Sequence, residues 1–389
     1  MSRTRSTNPV AGRCSGTLQA YNCEDSSAAS EESKQMQTPD PNLASALLVI
    51  LETESHRHDD PHAPAIIELA WQEVADRLSV GANVNGWYNG ETLLGSAVGW
   101  RRPDIVELLL ENGARTNDTV LLDNGKFPAF TVVGETDDHD IVELLARYGA
   151  NITAFNRAAM PIATGTRHIS RQPVSINAHH LAKAQRGQRN PQPYWNPFYI
   201  NQIRTFDSAY AGVCRDFADE TSGCRRDVSP VFSFDRFGRS ATRLTDGRLV
   251  LIAGEHEDSY DPDFFIYNDV CVVGEGGDVE YFIYPVEDFP PTDFHTATLV
   301  DNYIWIIGNL GYRNQRDERT TQVLQLNTDN WRMTRLDTKG AVPGWISRHS
   351  AVLDNREIVI AGGRREPDQV DIPGSYALNT RTLIWRKLP

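Results

Sequence analysis

Two internal repeats constrain the fold of this 389-residue chain more than any other feature of its sequence. In the first repeat, a Gly-Ala pair recurs at Gly81, Gly113 and Gly149, at separations of 32 and 36 residues. Apolar residues at helical spacing precede the second and third of these glycines, and glycine readily adopts the left-handed conformation that ends a helix. We therefore expect residues 81–152 to form helices that end at a glycine and continue into a short turn.

The second repeat has a longer period and lies in residues 230–389. Three apolar runs end at Gly254, Gly308 and Gly362, which are 54 residues apart, and two tryptophans further along the units show the same separation. Each run follows a short segment with an Arg or His, a hydroxyl residue and an alanine, as in His349-Ser350-Ala351. Short alternating or wholly apolar runs predict β-strands, so this region is expected to be all-β with about three similar units.

The first repeat resembles the ankyrin family, whose period is about 33 residues. Residues 90–97 (GETLLGSA) match the start of an ankyrin repeat, with Leu93 where proline is usual and Gly95 where histidine is usual. These departures weaken the expected capping of the first helix. We count about three repeats, including a degenerate first unit with helices at 42–52 and 64–78.

The second repeat resembles the kelch motif, whose unit is a four-stranded blade of a β-propeller with a period of about 50 residues. The unit at Gly362 and Gly363 matches best, because Glu255 and Asn309 replace the second glycine in the other two units. The two resemblances imply a multidomain α + β chain, with ankyrin-type helical repeats followed by about three kelch-type blades. Three blades do not close a ring of four to eight. The propeller is therefore truncated, atypical in its closure or completed by a second chain.

Composition divides the chain into four parts. Residues 1–40 are rich in small and polar residues and are expected to form a disordered tail, because they cannot bury enough apolar surface to offset the entropy of ordering. The ankyrin-type domain is predicted over 41–152 and the kelch-type region over 230–389. Between them, 153–229 is interpreted as a basic, aromatic linker or a segment that caps an edge of the propeller. The net charge of −14 is uneven, since 153–206 contains seven basic and no acidic residues.

Several classes of protein are disfavoured by what the sequence lacks. Its five cysteines are odd in number and have no zinc-type spacing. No apolar run approaches the roughly 20 residues of a membrane span, and the N-terminus lacks the apolar core of a signal peptide. We therefore expect a cytoplasmic protein in a reducing compartment, with no membrane association. Sequence motifs of hydrolases, nucleotide-binding enzymes and zinc proteases do not occur, and no cofactor is expected.

Two groups of candidate binding residues lie in the helical region. The first is the tip of a turn with two adjacent aromatic residues, and exposed aromatic side chains are favoured anchors of protein interfaces. The second lies in the loop between paired helices, where packing on a neighbouring repeat is an equal alternative. The groups are Trp87, Tyr88 and Asn89, and Trp100, Arg101 and Arg102.

Further candidates lie on long loops of the predicted propeller, which are expected to cluster on one face. They are Tyr260, Tyr312, Arg313, Arg316, Arg364 and Arg365. His256 and Glu257 are weak metal-ligand candidates after a predicted strand, and the segment from His56 to His62 is better explained as a solvated loop. His295 and His349 begin strands and are expected to be hydrogen-bonded structural residues.

We therefore expect a non-enzymatic interaction or scaffold protein that binds other proteins through its repeats. Binding to nucleic acid is disfavoured, because both repeat regions are acidic and would repel phosphate. Self-association that completes the propeller is an open alternative. The competing hypothesis is an enzyme or a carbohydrate-binding propeller with its site on the face formed by the loops.

Overall fold

The computed structural model describes residues 39–56, 60–88, 91–117, 119–120, 130–175, 182–217, 230–257, 264–366 and 368–389. Helices dominate up to residue 217, and strands form nearly all of the regular structure after residue 230. The predicted N-terminal tail lies outside these residues, apart from its last two. No helix in the ranges given is long and apolar enough to cross a membrane.

The N-terminal part consists of helices joined by turns and two short antiparallel hairpins. The helices are α1 (Pro41–His56), α2 (Ala63–Ser79), α3 (Leu93–Gly99), α4 (Pro103–Glu111) and α5 (His139–Arg147). The hairpins pair β1 (Trp87–Tyr88) with β2 (Glu91–Thr92), and β3 (Thr119–Val120) with β4 (Phe130–Thr131). Helix α1 packs against α2, α3 against α4, and α4 against α5.

Glycine ends three of these helices where the repeat predicts it. Gly81, Gly113 and Gly149 follow α2, α4 and α5, and their φ angles are 77°, 84° and 84°. A residue with a Cβ atom is strained in this left-handed region, which explains the recurrence of glycine there. The spacing of the glycines therefore sets the spacing of the helices.

Asparagine side chains connect one turn of the helical part to the next. The Asn85 side chain donates to the Gly113 carbonyl at 2.9 Å and accepts from the Arg115 amide at 2.9 Å. The Asn117 side chain makes the equivalent contacts, donating to the Gly149 carbonyl at 3.4 Å and accepting from the Asn151 amide at 2.8 Å. Each asparagine thus satisfies backbone groups of the following unit and fixes the stacking of successive units.

The segment between the helical part and the strands contains α6 (Met160–Ala163), β5 (Gln192–Pro193), α7 (Pro197–Thr205) and α8 (Ala209–Phe217). Helix α6 contacts both α5 and α7 and so joins the helical repeats to α7. Cys214 on α8 is disulfide-bonded, whereas Cys271 is a buried free thiol. The reducing compartment stays a prediction.

Three antiparallel sheets follow, here named sheets I, II and III. Sheet I is formed by β6 (Ser240–Arg243), β7 (Leu249–Ile252), β10 (Asp269–Val273) and β11 (Val279–Ile283), with a hairpin of β8 (Glu255–His256) and β9 (Phe265–Ile266) between β7 and β10. Sheet II is formed by β12 (Thr296–Val300), β13 (Tyr303–Ile307), β14 (Val323–Asn327) and β15 (Met333–Arg335).

Sheet III has the same order of four strands and receives an additional edge strand. It is formed by β16 (Lys339–Gly340), β18 (Ser350–Asp354), β19 (Glu357–Ala361), β22 (Tyr376–Asn379) and β23 (Ile384–Lys387), with β16 parallel to β23. A small separate sheet joins β17 (Ile346–Ser347), β20 (Arg364–Arg365) and β21 (Val370–Asp371). In the part of the chain that the structure describes, the three sheets do not close into a ring.

The sheets stack face to face, with the first strand of each next to the first strand of its neighbour. We call the face turned toward the following sheet the trailing face, and the opposite one the leading face. Val250 and Ile252 on the trailing face of sheet I pack in one buried cluster with Ile304 and Ile306 on the leading face of sheet II. The same arrangement recurs between sheets II and III, where Trp305 and Ile307 meet Ile358 and Ile360. Successive side chains of a strand point to opposite faces of its sheet. The same pattern of apolar residues therefore forms one interface between sheets I and II and another between sheets II and III.

The leading face of sheet I is covered by the chain itself. Leu249 and Leu251 belong to the same buried cluster as Tyr199 of α7 and Phe232, whose rings stack at a centroid distance of 3.5 Å. Strand β5 also pairs antiparallel with β11 and so extends sheet I at its outer edge. The segment interpreted as a linker or an edge cap thus contributes both a strand and aromatic side chains to the first sheet.

Candidate functional site

The connections between second and third strands gather at one end of the three sheets. In each sheet the first strand starts opposite the end of the second strand, as the pairs of Ser240 with Ile252 and Ser350 with Ala361 illustrate. The residues before each first strand therefore lie at the same end as these connections. We call this end the loop face, formed by the described residues of 253–268, 308–322 and 362–375 together with those just before each first strand.

Backbone hydrogen bonds connect the three sheets at the centre of the loop face. The Phe294 amide donates to the Gly238 carbonyl at 2.8 Å, and the Arg348 amide donates to the Phe294 carbonyl at 2.9 Å. These three residues occupy equivalent positions, and their φ angles are 62°, 48° and 58° for Gly238, Phe294 and Arg348. The second and third sheets therefore place a large side chain where the first has glycine.

Left-handed backbone costs a residue with a Cβ atom roughly 1–2 kcal/mol, and such residues concentrate at functional sites. Here the two side chains interact, because the Arg348 guanidinium lies over the Phe294 ring at 3.7 Å from its centroid. Phe237 lies beside them on sheet I and is 63% exposed. We call Phe237, Phe294 and Arg348 the central patch. It combines an exposed aromatic ring, a cation and a backbone held rigidly by its neighbours.

A pair of carboxyl groups lies next to the central patch. Glu255 is half-buried, and Asp293 is fully buried and accepts a hydrogen bond from the Gly311 amide at 2.7 Å. The two carboxyl groups lie close enough for the charge of one to affect the titration of the other. Burial, and secondarily the charge of Asp293, raises the pKa of Glu255 to about 8, and burial also raises the pKa of Asp293. At neutral pH the pair therefore keeps one proton.

Two residues predicted to contact a partner instead hold the loops together. Arg316 forms an ion pair with Glu366 at 2.9 Å, and these side chains are only 9% and 0% exposed. The same guanidinium donates to the Gly311 carbonyl at 3.0 Å. The Tyr312 hydroxyl accepts a hydrogen bond from the Ile266 amide at 3.0 Å, which joins the loops of sheets I and II. Both residues therefore fix the shape of the loop face.

The remaining predicted residues of this face lie at its rim. Arg313 is exposed at the start of a short 3-10 turn. Arg364 and Arg365 are half-buried on β20, where the backbone of Arg364 pairs with Ser347 on one side and Asp371 on the other. The loop face thus carries three further cationic side chains. Tyr260 lies outside the described residues.

The two metal-ligand candidates point in different directions. His256 is buried, with its Nδ1 atom 2.8 Å from the Asp235 carbonyl, whereas Glu257 is exposed. Residues 57–59 of the histidine-rich segment are outside the described ranges. Within those ranges, no group of three or more His, Cys, Asp or Glu side chains is arranged to hold a metal ion.

The candidates in the helical part are also dispersed. Tyr88 is half-buried against the helical core, the backbone of Trp87 pairs with Thr92, and Asn89 lies outside the described residues. The remaining three candidates surround the start of α4: Arg102 pairs with both Glu54 and Asp104, Arg101 approaches Asp137 at 3.8 Å, and Trp100 is exposed. Arg102 thus joins the end of α1 to the start of α4 and has a structural role.

The central patch was not predicted from the sequence, although the repeats show which of its residues are equivalent. When the three units are aligned on the residue before each first strand, Arg239, His295 and His349 coincide, and the preceding residues are Gly238, Phe294 and Arg348. The alignment indicates that these three residues are equivalent, but it does not predict their left-handed backbone, which phenylalanine and arginine disfavour. The two histidines are hydrogen-bonded and buried, as expected.

Comparison with known proteins supports kelch-type repeats. The kelch domain-containing protein 3 of Homo sapiens is 26% identical over 176 residues, which cover 42% of this chain and 43% of that protein. The chain thus spans less than half the length of this relative. No family model matches the chain. A solved structure titled "Structure of YjhT" aligns at 12% identity and a TM-score of 0.32, covering 40% of this chain and 52% of that one. A TM-score this low does not indicate a shared fold.

Proposed function

We propose that this protein is a non-enzymatic interaction or scaffold protein, in which ankyrin-type helical repeats and kelch-type propeller blades both present binding surfaces. The loop face of the blades is the principal surface in this proposal. One observation carries it: the central patch exposes Phe237 beside a stacked pair whose two members both have left-handed backbone. Strain of this kind is retained where a side chain must be held in place.

The composition of the loop face suits recognition of a protein. Aromatic residues and arginine supply most of the binding energy in protein interfaces, and they are most effective when surrounded by a polar rim. Phe237 provides an apolar anchor, and Arg313, Arg364 and Arg365 provide a polar rim. The buried Arg316–Glu366 pair keeps the loops in one arrangement, which reduces the entropy lost on binding.

The helical part would contribute a second surface. Its paired helices, glycine stops and recurring asparagine contacts support the ankyrin-type assignment. The β1–β2 hairpin lies in the chain between the helix pairs α1–α2 and α3–α4, where the binding turns of such repeats occur. We propose that Trp87 and Tyr88 contact a partner there, and that the protein acts in the cytoplasm.

The proposal is tested by comparing partners of the full-length wild type with those of two variants. Phe237→Ser removes the exposed anchor of the central patch, and Val370→Ser changes an apolar residue on β21 that is 43% exposed. Proteins cross-linked to the wild type in cells should be lost with the first variant and kept with the second. The same proteins recovered with all three forms would rule out the central patch as the binding surface. A third variant, Trp87→Ala with Tyr88→Ala, tests the helical surface separately.

The competing proposal, a carbohydrate-binding or enzymatic site, rests on the neighbouring carboxyl groups of Glu255 and Asp293, both of which have a raised pKa. Paired carboxyl groups beside an aromatic ring are suited to acid-base chemistry on a sugar. However, Asp293 is fully buried and bound by the Gly311 amide, so only Glu255 could reach a ligand. Binding of an oligosaccharide on a glycan array, lost in Glu255→Gln, would favour this alternative over a protein partner.

A further inference from the structure

A buried ion pair lies beneath the loop face of sheet I. The Arg236 guanidinium and the Asp269 carboxylate are 2.6 Å apart, and their side chains are only 1% and 6% exposed. Asp269 also accepts a hydrogen bond from the Tyr281 hydroxyl. A buried ion pair is often no more stabilising than well-packed apolar side chains of similar volume. Stability alone therefore does not account for the pair.

The buried charge is a property of the first sheet. Arg236 lies four residues before the first strand of sheet I, and Thr292 and Ile346 lie four residues before the first strands of sheets II and III. Neither of these two side chains can carry a positive charge. The role of the ion pair must therefore be sought in what differs between sheet I and its neighbours.

One such difference is the backbone at the end of β7. Ala253 follows the last residue of β7 and has a φ angle of 51°. Gly308 and Gly362 follow the second strands of the other two sheets, with φ angles of 82° and 63°. Sheet I thus has alanine where the others have glycine, although left-handed backbone disfavours a residue with a Cβ atom. The Arg236 guanidinium donates to the Ala253 carbonyl at 3.1 Å and so supports this conformation.

The same guanidinium holds the segment that leads to Phe237. Its Nε atom donates to the Ser233 carbonyl at 2.7 Å, and its central carbon lies 3.3 Å from the centroid of the Tyr267 ring. One planar group therefore contacts the chain just before Phe237 and the chain just before Glu255. An ammonium group on a flexible stem does not offer donors in this fixed arrangement.

Phe237 and Glu255 are joined directly by a backbone bridge. The Phe237 amide donates to the Glu255 carbonyl, and the Glu255 amide donates to the Phe237 carbonyl, both at 2.8 Å. Gly254 precedes this bridge, and a Cβ atom there would lie only 2.8 Å from the Phe237 carbonyl oxygen. Because the two segments approach so closely, a change in the backbone of Ala253 would displace both residues of the bridge.

We propose that Arg236 is a positioning residue for the loop face, where it fixes the bridge between Phe237 and Glu255. With the bridge fixed, Phe237 stays exposed as an anchor and Glu255 stays next to Asp293. This role rests on the proposed function, because the position of Phe237 matters to a partner only if the central patch binds one. Measurements on the free protein test the role, so its failure is distinguishable from a failure of the partner comparison with Phe237→Ser.

The first test is hydrogen exchange of the full-length variant Arg236→Lys. Lysine can still pair with Asp269 but lacks the planar fork that reaches both carbonyl groups. The Phe237 and Glu255 amides should exchange at least about tenfold faster than in the wild type. Arg102→Lys makes the same change in an ion pair of the helical part and should leave both amides unchanged.

The titration of Glu255 separates positioning from a purely structural role. Burial, followed by the charge of Asp293, raises the pKa of Glu255 to about 8, against the opposing effect of Arg348. If the bridge opens in Arg236→Lys, the carboxyl group gains water and its pKa should fall toward 4.5. Carbon-13 NMR of protein with labelled glutamate measures this pKa, and the signal absent from Glu255→Gln identifies the residue. A purely structural ion pair would change the overall stability and leave this pKa unchanged.

A second variant keeps the proposal testable if Arg236→Lys does not fold. Arg236→Met combined with Asp269→Asn leaves no buried charge, and the asparagine can still accept from the Tyr281 hydroxyl. This variant should show the same faster exchange and the same fall in the pKa of Glu255. Wild-type exchange rates and a wild-type pKa in either folded variant would overturn the proposal.

Discussion

Replacing Glu255 by glutamine should remove most of the pH dependence of stability that the wild type shows between about pH 6 and pH 8. Glutamine has nearly the size and shape of a protonated glutamic acid, but it does not titrate. The packing of residue 255 is therefore kept, while its titration is lost.

The sign and size of the effect follow from the pKa of Glu255, which is about 8 in the folded chain against an ordinary value of 4.5. Between these values the folded protein holds a proton that the unfolded chain has released. The free energy of unfolding then falls by about 1.4 kcal/mol per pH unit, from its full value below pH 4.5 until the folded group ionises near pH 8. Because water reaches part of the side chain, we expect a loss of about 1–2 kcal/mol between about pH 6 and pH 8.

Denaturant titrations at about pH 6 and about pH 9, followed by tryptophan fluorescence, measure this loss. The wild type should lose about 1–2 kcal/mol more than Glu255→Gln between the two conditions. Glu257→Gln is the matched control, since this neighbouring side chain is exposed and should leave the pH dependence unchanged. Equal losses in wild type and Glu255→Gln would show that the pKa of Glu255 is not raised in the folded chain.

Three further predictions concern contacts that hold the parts of the chain together. Asn117→Ala removes two hydrogen bonds between helical units and should lower the free energy of unfolding by about 1–2 kcal/mol, measured by urea denaturation with circular dichroism. Arg316→Leu leaves the Glu366 carboxylate buried without its cation and should cost about 3–5 kcal/mol by the same measurement, much of it recovered when Glu366→Leu is added. Tyr199→Ala removes the ring stacked on Phe232 and should cost about 3–5 kcal/mol, and limited proteolysis should show faster cleavage near residue 230.

The parts of the fold that depend on local spacing were accessible from the sequence. The glycine at position 113 predicted the end of a helix, and Gly308 predicted the end of a strand, because each requirement is local to the backbone. Kelch-type repeats are supported by the relative with 26% identity. The ankyrin-type assignment and the domain boundaries stay predictions.

The candidate site was predicted less well, because it depends on contacts between distant residues. Arg316 lies in a long polar loop and was expected to be exposed, but its partner Glu366 is 50 residues further along the chain. Similarly, Phe237 and Arg348 come from different sheets, and only the stacking of those sheets brings them together. Periodicity shows which residues are equivalent, and it does not show which equivalent residues meet.

The aromatic cover on sheet I determines how the protein can be divided. A shortened protein beginning at residue 230 would retain every strand of the kelch-type units but lose Tyr199 and β5. The apolar residues Leu249 and Leu251 would then face water, and an uncovered sheet of this kind promotes aggregation. A shortened protein with all three sheets should therefore also include β5 and Tyr199, which lie before the predicted boundary at residue 230.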